Sequence, residues 1–384
     1  MHVLYVPSWY PKSDDDTAGS FFREQAHSLR QSGMNVGVLA PIERPYYASW
    51  TPSRSFEGAI EKGIPVLRFR TPHPFPKLLS PNVWSARPTL IRAFDAYIQR
   101  WGRPDVLHAH SLFPAAYYCE FLSQTYGIPF VYTEHRSLMH LSTSALSLRQ
   151  QRRIVESASA RIGVSRGHAD HLASRFKMDP QTWLDIPNLL PPIVESSGFV
   201  DSRDSRRFLV GHLSTLDPVK NIPSLVRAFS RAFADTDDVE LWIAGDGEQR
   251  NHVREMVEQS GKAHQIRLLG KLQRHEVPEF CGSLDLFVLP SLSESFGVVL
   301  TEALSQGAPV ISTRTWGGEY IVGPGDGELV PVNDDDALVE SLRRAYAHRE
   351  STSERAKRRQ RTIARFGKDT FVSAYQDIYE KAIR

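Results

Sequence analysis

Short, nearly continuous apolar runs alternate with longer stretches of helical spacing along the whole chain. In the first half, VLYV (3–6), VGVLA (36–40), PVLRF (65–69), DVLHA (105–109), PFVYT (129–133) and RIGVS (161–165) predict strands. Between them, 18–32, 88–101, 114–126 and 144–158 predict helices. The second half repeats the alternation with FLVGHL (208–213), ELWIAG (240–245), IRLLG (266–270), LFVLP (286–290) and PVIST (309–313). Strands apolar on both sides and separated by helices indicate parallel sheets covered on both faces. Periodicity fails at NLLPPIVESSGFVDSRDSRR (188–207), rich in Pro, Ser and charge. The expectation is α/β: two doubly wound domains, over 1–190 and 205–365, joined near 190–205.

Composition narrows this picture. A length of 384 residues exceeds one ordinary core and suits two domains. With 23% charged and 41% hydrophobic residues the chain reads as globular. A formal net charge of +2 supplies no field that would recruit nucleic acid. Cys119 and Cys281 share no metal-like or redox spacing and read as buried small apolar side chains in a reducing compartment. The opening MHVLYVPSWYP lacks the charged flank and long apolar run of a signal peptide. No stretch approaches the roughly 18 apolar residues that span a bilayer. A cytoplasmic protein, free or at the inner membrane surface, is expected.

The chemistry concentrates at predicted strand ends. SLSESFGVVLTE (291–302) places Glu294 and Glu302 around the start of a helix, GVVLTEALSQ, which Gly307 stops. The loop 290–296 follows a buried strand, and open α/β sheets bind ligands at such carboxyl ends. Gly297 lets a ligand approach the backbone, and the helix start offers unpaired N–H groups and about half a positive charge. Side chains lean toward a helix N-terminus, so Glu302 points back at the same ligand. Two carboxylates repel a bare phosphate but accept hydrogen bonds from hydroxyls flanking one. A nucleotide sugar has that layout. STLDPVKN (214–221) adds Lys220 at another strand end, where it can neutralise a diphosphate. AGDGEQ (244–249) lacks the third glycine of a dinucleotide fingerprint and reads as a tight ligand-side turn at Gly245. TWGGEY (315–320) supplies adjacent glycines at a fourth strand end. Taken singly, these are solvated glutamates, a surface lysine and ordinary turns. Their convergence on one edge favours the ligand.

ESFGVVLTE resembles the E-x7-E motif of the GT-B glycosyltransferases of family 4, retaining enzymes that use nucleotide sugars. VGHLSTLDPVKN, WIAGDGE, LLGKL, DLFVLPSLSESFGVVLTEALSQGAPVIST and GGE follow that family's order through the second half. PSWYP, TAGSFFREQAHSL, DVLHAHS, PFVYTEHRS and IPN extend a looser likeness to the first, toward members that build bacterial cell-surface polysaccharides. The resemblance implies two Rossmann-like domains facing across a cleft, with the helix over 366–384 crossing back onto the first. It implies transfer of a hexose from a UDP- or GDP-sugar to a sugar or lipid-linked acceptor, without a metal.

By the same resemblance Glu302 holds the ribose hydroxyls and Glu294 those of the donor sugar. Lys220 grips the diphosphate, and the backbone from Phe296 through Gly297 and Val298 lies along sugar and phosphate. Gly19 falls in a loop approaching the diphosphate, His135 beside the transferred sugar, and His110 on the acceptor side. His108, His110 and His135 could also be read as a metal site, but the family needs none and lysine with a helix dipole can stabilise the leaving group. Thr215 stands where many relatives carry an arginine. The rival readings are a nucleotide-sugar epimerase on the same fold and a silent nucleotide-sugar or polysaccharide binder. DDD (14–16) reads as a solvated loop, and PVNDDDALVESL as a helix start with its capping acids. HPFPKLLSPNVWSARP (73–88) reads as an irregular acceptor-side loop. RESTSERAKRRQRTIAR (349–365) reads as an exposed basic helix face, alternatively a patch for anionic lipid or a lipid-diphosphate acceptor.

Overall fold

Alternation within the first strand sets up the first core. Val3 and Tyr5 face one side of their sheet and Leu4 and Val6 the other, and all four are fully buried. The computed structural model describes residues 1–13, 16, 19–43, 56–71, 79–138, 145–199, 201–203 and 206–384. The expectations for 14, 15 and 73–78 lie outside these residues. The chain divides into two units, Met1–Leu189 with Phe371–Arg384, and Leu190–Thr370.

The first unit carries β1 (His2–Pro7), β2 (Asn35–Glu43), β3 (Phe56–Glu61), β4 (Ile64–Thr71), β5 (Val106–His110), β6 (Phe130–Glu134), β7 (Ala160–Gly163) and β8 (Leu184–Asp185). They form one sheet in the order β3-β4-β2-β1-β5-β6-β7-β8. Every pairing is parallel except β3 against β4. FEGAIE of β3 is a mostly exposed edge strand without an apolar alternation, which is why its sequence gives no strand signal. The C-terminal helix Lys368–Ile383 buries Phe371, Tyr375, Ile378 and Tyr379 at helical spacing in the cluster that holds Val3 and Tyr5.

One expectation fails in this unit. Residues 79–88 are not an irregular loop but the start of the helix Leu79–Trp101. Pro88 lies inside that helix, and its presence beside Pro81 is what hides the helical pattern from sequence reading.

The second unit carries β9 (Phe208–Leu213), β10 (Val239–Ala244), β11 (Ile266–Gly270), β12 (Leu286–Leu289), β13 (Val310–Thr313) and β14 (Gly327–Val330). These are parallel throughout, in the order β11-β10-β9-β12-β13-β14. That is the doubly wound order whose direction reverses between the first and fourth strands, here β9 and β12.

The basic stretch 349–365 also departs from expectation. It forms the helix Thr352–Phe366, whose face is not simply exposed, because Arg355 and Arg358 are buried. The Arg355 guanidinium donates to the carbonyls of Leu284, Gly282 and Gln306 at 2.7, 3.1 and 3.3 Å. Arg358 donates to Gly307 O at 2.8 Å and Gly325 O at 2.9 Å, and both its terminal nitrogens meet the Glu350 carboxylate. Arg359 donates to Ser305 O and Ser197 O, each at 2.5 Å. These arginines close the carboxyl ends of Val277–Ser283 and Val298–Ser305, where helix carbonyls lack intrahelical donors. Arg358→Ala leaves the Glu350 carboxylate and the Gly307 carbonyl unanswered, while Gly325 O keeps its bond from Arg361 at 3.0 Å. It is expected to cost about 3–5 kcal/mol, the scale of breaking a buried ion pair. Urea unfolding of the variant beside wild type reads that loss.

Candidate functional site

In the second unit the loops after β9 and β12 diverge from the reversal point of the sheet. Backbone hydrogen bonds tie them together. Leu292 N–H donates to Val219 O at 2.7 Å, and the Lys220 ammonium meets the Glu294 carboxylate at 2.7 Å. The loop after β9 is joined in turn to the loop after β10. Leu216 N–H donates to Asp246 O at 3.0 Å, and Gln249 N–H to Leu216 O at 2.9 Å. The loop after β12 is joined to the loop after β13, because Gly317 N–H donates to Glu294 O at 2.9 Å and the Thr313 hydroxyl to Ser291 O at 2.5 Å. The four loops singled out by sequence form one hydrogen-bonded rim.

Two glycines serve the packing of that rim. A Cβ at Gly245 would lie 1.8 Å from Ser214 O, and one at Gly317 would lie 1.9 Å from Phe296 O. Backbone packed this closely admits no side chain, so the glycines of AGDGEQ and TWGGEY answer loop-to-loop contact. Phe296 likewise turns inward. Its ring is 2% exposed and lies near Tyr320 and Phe366, which leaves its backbone to line the edge. Gly297, at φ 92°, caps the helix Val298–Ser305.

Each glutamate of the motif meets a cation. Glu294 has Lys220. Glu302, 1% exposed, accepts from an Arg274 guanidinium nitrogen at 2.6 Å. Sequence reading missed Arg274, although its place in KLQRHE, just after β11, is a strand end like the others. Thr215 is exposed, and its hydroxyl donates to Asp217 Oδ2 at 2.7 Å. Asp217 also caps the turn that carries Lys220, accepting from Val219 N–H at 3.0 Å.

His212 was a second omission. Fully buried at the end of β9, it lies 2.8 Å from Val288 O through Nδ1 and 2.7 Å from the Ser214 hydroxyl through Nε2. Burial, with a smaller push from the Lys220 charge, holds its pKa down to about 4. The ring is neutral at pH 7. A carbonyl can only accept, so Nδ1 carries the proton, and the bare Nε2 faces the Ser214 hydroxyl, which also lies 2.9 Å from Thr215 O. The side chain fastens the loop after β9 to β12.

In the first unit the corresponding edge gathers Gly19, His110 and His135. Gly19 caps the helix Ser20–Gln31 with left-handed φ 78° and packs against Trp9. His110 Nδ1 lies 3.2 Å from His135 Nε2, and the two rings are stacked at 27°. Phe22 touches both, at ring separations of 4.9 and 5.1 Å. His108 closes the row behind, 3.9 Å from the His110 ring, with its nitrogens near the hydroxyls of Tyr379 (2.7 Å) and Thr133 (2.8 Å). Among the described residues no group of three or more His, Cys, Asp and Glu side chains could hold a metal ion. Burial is the largest cause of the lowered pKa in all three histidines. It holds His108 and His110 well below the ordinary value and His135 at about 3.

The strand before His135 ends in the other unnoticed residue. Glu134 is fully buried and receives four donors: Leu112 N–H (2.8 Å), the Tyr132 hydroxyl (2.6 Å), and the N–H groups of His135 and Arg136 (2.9 Å each). A carboxylate bonded on both oxygens fixes the backbone that carries His135.

The comparisons with known proteins divide the chain as the fold does. A family model described as glycosyl transferases group 1 matches residues 197–363, and a glycosyl transferase 4-like domain matches 17–188. The chain is 30% identical over 351 residues to the phosphatidyl-myo-inositol mannosyltransferase of Mycolicibacterium smegmatis, covering 86% of this chain and 82% of that one. It is 27% identical over 379 residues to TuaC of Bacillus subtilis, named as a teichuronic acid biosynthesis glycosyltransferase, covering 91% and 90%. Among solved structures, Alr3699/HepE of Anabaena in complex with UDP and glucose superposes with a TM-score of 0.75 at 18% identity, over 99% of each chain. That likeness shows the GT-B fold.

The depressed pKa of His212 gives a pH dependence with a definite sign. Between the unfolded value near 6.5 and the folded value near 4, protons bind the unfolded chain preferentially, so stability falls as pH falls through that window. A shift of this size corresponds to about 3 kcal/mol. His212→Gln is expected to flatten the decline in melting temperature between pH 6.5 and 4 relative to wild type. An unchanged slope would assign the decline to other groups.

Proposed function

The chain belongs to the group 1 glycosyl transferases, and we propose that it moves a hexose from a UDP- or GDP-linked donor to an acceptor hydroxyl with retained anomeric configuration. The observation that carries this reading is the pairing of Lys220 with Glu294 at the reversal point of the second sheet, beside the start of the Val298–Ser305 helix. An ammonium and a helix N-terminus at one spot favour a diphosphate. The adjoining carboxylate favours sugar hydroxyls. The UDP and glucose of the Anabaena structure support a uridine donor, and the two named relatives support a lipid-linked or polysaccharide acceptor.

Without donor, Lys220 and Glu294 satisfy one another. With donor, the ammonium turns to the phosphate oxygens, and Glu294 accepts from hydroxyls of the hexose. Glu302 accepts from the ribose hydroxyls while Arg274 keeps its buried charge answered. The bond from the anomeric carbon to the phosphate oxygen breaks as the acceptor oxygen bonds from the same face. Its proton passes to the departing phosphate oxygen. Lys220 and the helix start bear the charge that develops on the diphosphate. His135 is neutral at working pH, so its part is a hydrogen bond to the sugar and not delivery of a proton. Transfer of this kind needs an acceptor, whereas an epimerase would convert donor alone.

Calorimetry with nucleoside diphosphate, beside a transfer assay, separates the two glutamates. Glu302→Gln is expected to weaken nucleotide binding by about 1.5–3 kcal/mol, the range for hydrogen bonds to a charged group. Glu294→Ala is expected to leave nucleotide affinity unchanged or slightly tighter, because it releases Lys220, while transfer drops at least as far as binding of the sugar requires. Equal losses of nucleotide affinity would defeat the assignment.

Lys220→Ala should cost about 10²–10³ in kcat, the scale of one preorganised donor to developing charge. A guanidinium introduced by Thr215→Arg meets the Asp217 carboxylate before it meets phosphate. Its full tightening of nucleotide binding is therefore expected only in the Asp217→Asn background. Unchanged affinity in Lys220→Ala and in the double variant would remove the 214–221 loop from the diphosphate.

His135→Ala should abolish most turnover with the fold intact by circular dichroism. Near-normal kcat on a working donor and acceptor would exclude His135 from the site.

A further inference from the structure

A cavity of about 570 Å³ lies in the second unit away from the rim, and nothing in the transfer reaction uses it. Its lining includes Trp242, Glu240, Arg206, Arg207 and Arg267. Leu209, Glu240 and Arg267 are the second residues of β9, β10 and β11. The carboxyl ends of parallel strands lie three to four residues further on, roughly 10–13 Å at the usual rise. The outward side chains of these strands contrast with their opposite face, where Val210, Leu241 and Ile266 are core. The short helix Val277–Ser283 leads into Leu284, which covers Gly211 on β9. Further along the sheet Trp242 is half-buried and Leu269 is 38% exposed.

The cluster is built, not scattered. The Glu240 side chain is 7% exposed. It accepts from the Trp242 indole N–H at 2.9 Å, from Arg267 at 3.2 and 3.3 Å, and meets Arg207. Arg267 also lies 5.7 Å from the centre of the indole ring. One buried carboxylate thus sets the orientation of an indole and two guanidinium groups, with Arg206 on the same wall. Among the described lining residues Arg207 and Arg267 both meet the one acid, Glu240, so guanidinium charge exceeds carboxylate charge there.

We propose that this cavity is a second saccharide site, and that it takes anionic pyranoses such as uronates. An indole offers a flat apolar surface to the C–H face of a pyranose while its N–H stays bonded. Guanidinium forks match a carboxylate in two-point geometry, and the surplus of positive charge selects an acidic sugar over a neutral one. The volume suits one or two sugar rings. The site would hold a saccharide chain on the transferase while the rim performs transfer, and in that respect it rests on the proposed activity.

The test is titration calorimetry of the intact chain with trigalacturonate at low salt, with maltotriose as neutral control and UDP as competitor. Trigalacturonate is expected to bind, maltotriose at least tenfold more weakly, and saturating UDP not to displace it. Trp242→Ala and, on the exposed rim of the cavity, Arg267→Glu should each weaken trigalacturonate at least tenfold. Lys220→Ala should bind it as wild type does. Absence of binding, equal binding of maltotriose, displacement by UDP, or indifference to both cavity variants would overturn the proposal. Binding is read without donor or turnover. A chain that binds trigalacturonate yet transfers no sugar keeps this site and loses the activity, and the converse result loses only the site.

Discussion

A carboxylate taken out of water must be met by donors, and the ligand-side edges of both sheets are organised by that requirement. Glu134 draws four donors around the end of β6 and so fixes the backbone at His135. Glu302 draws in Arg274 from the loop after β11. Glu294 draws in Lys220 from the loop after β9. Glu134 ends a parallel strand, Glu294 follows one and Glu302 lies in the helix after β12, while Lys220 and Arg274 come from other loops of the same edge. Within the second unit, loops that would otherwise end separately become a continuous polar frame. The neutral His212, wedged between β12 and the loop after β9, adds an uncharged fastening to the same frame.

The pairs differ in what a ligand could do with them. Glu134 is saturated by backbone and phenol donors, and it acts only by fixing the position of its neighbour. Lys220 and Glu294 pair side chain to side chain, each partly exposed, and a donor carrying both phosphate and hydroxyls can take over both halves of that bond. Glu302 lies between these extremes. It is fully enclosed, yet its partner Arg274 reaches water. A saturated acid fixes the edge, and an exchangeable pair leaves both halves of its bond open to a ligand.

Legibility in the sequence followed the same division. Strands apolar on both faces were readable because burial on two sides leaves no alternation to misread, and the four loops were readable because turn residues follow those strands. Glu294, Glu302 and Lys220 stood out as charges beside glycine and apolar runs. Arg274, Glu134 and His212 did not, since nothing local distinguishes a charged residue whose partner lies 28 residues away, or a histidine whose partner is a carbonyl 76 residues away. The glycines of AGDGEQ and TWGGEY were legible as special but not as to purpose, because the backbone they admit belongs to a different loop. The edge strand Phe56–Glu61 and the helix turn holding Pro88 escaped for a plainer reason. Their stability comes from neighbours and not from their own composition.

The arginine-rich helix Thr352–Phe366 shows how far a basic run can differ from its appearance. Trypsin cleaves after arginine and lysine, and a count of basic residues would mark 349–365 as the first place it should cut. Cleavage needs the chain drawn out straight and the basic side chain delivered into a specificity pocket. Here the backbone is helical, and the guanidinium groups of Arg355 and Arg358 are held by carbonyls of other segments. Digestion at those two bonds would have to wait for the second unit to open. Lys357, outside that grip, sits on the same helix and is exposed. The order in which peptides appear under limited trypsin would therefore report the opening of the unit, not the density of its charge.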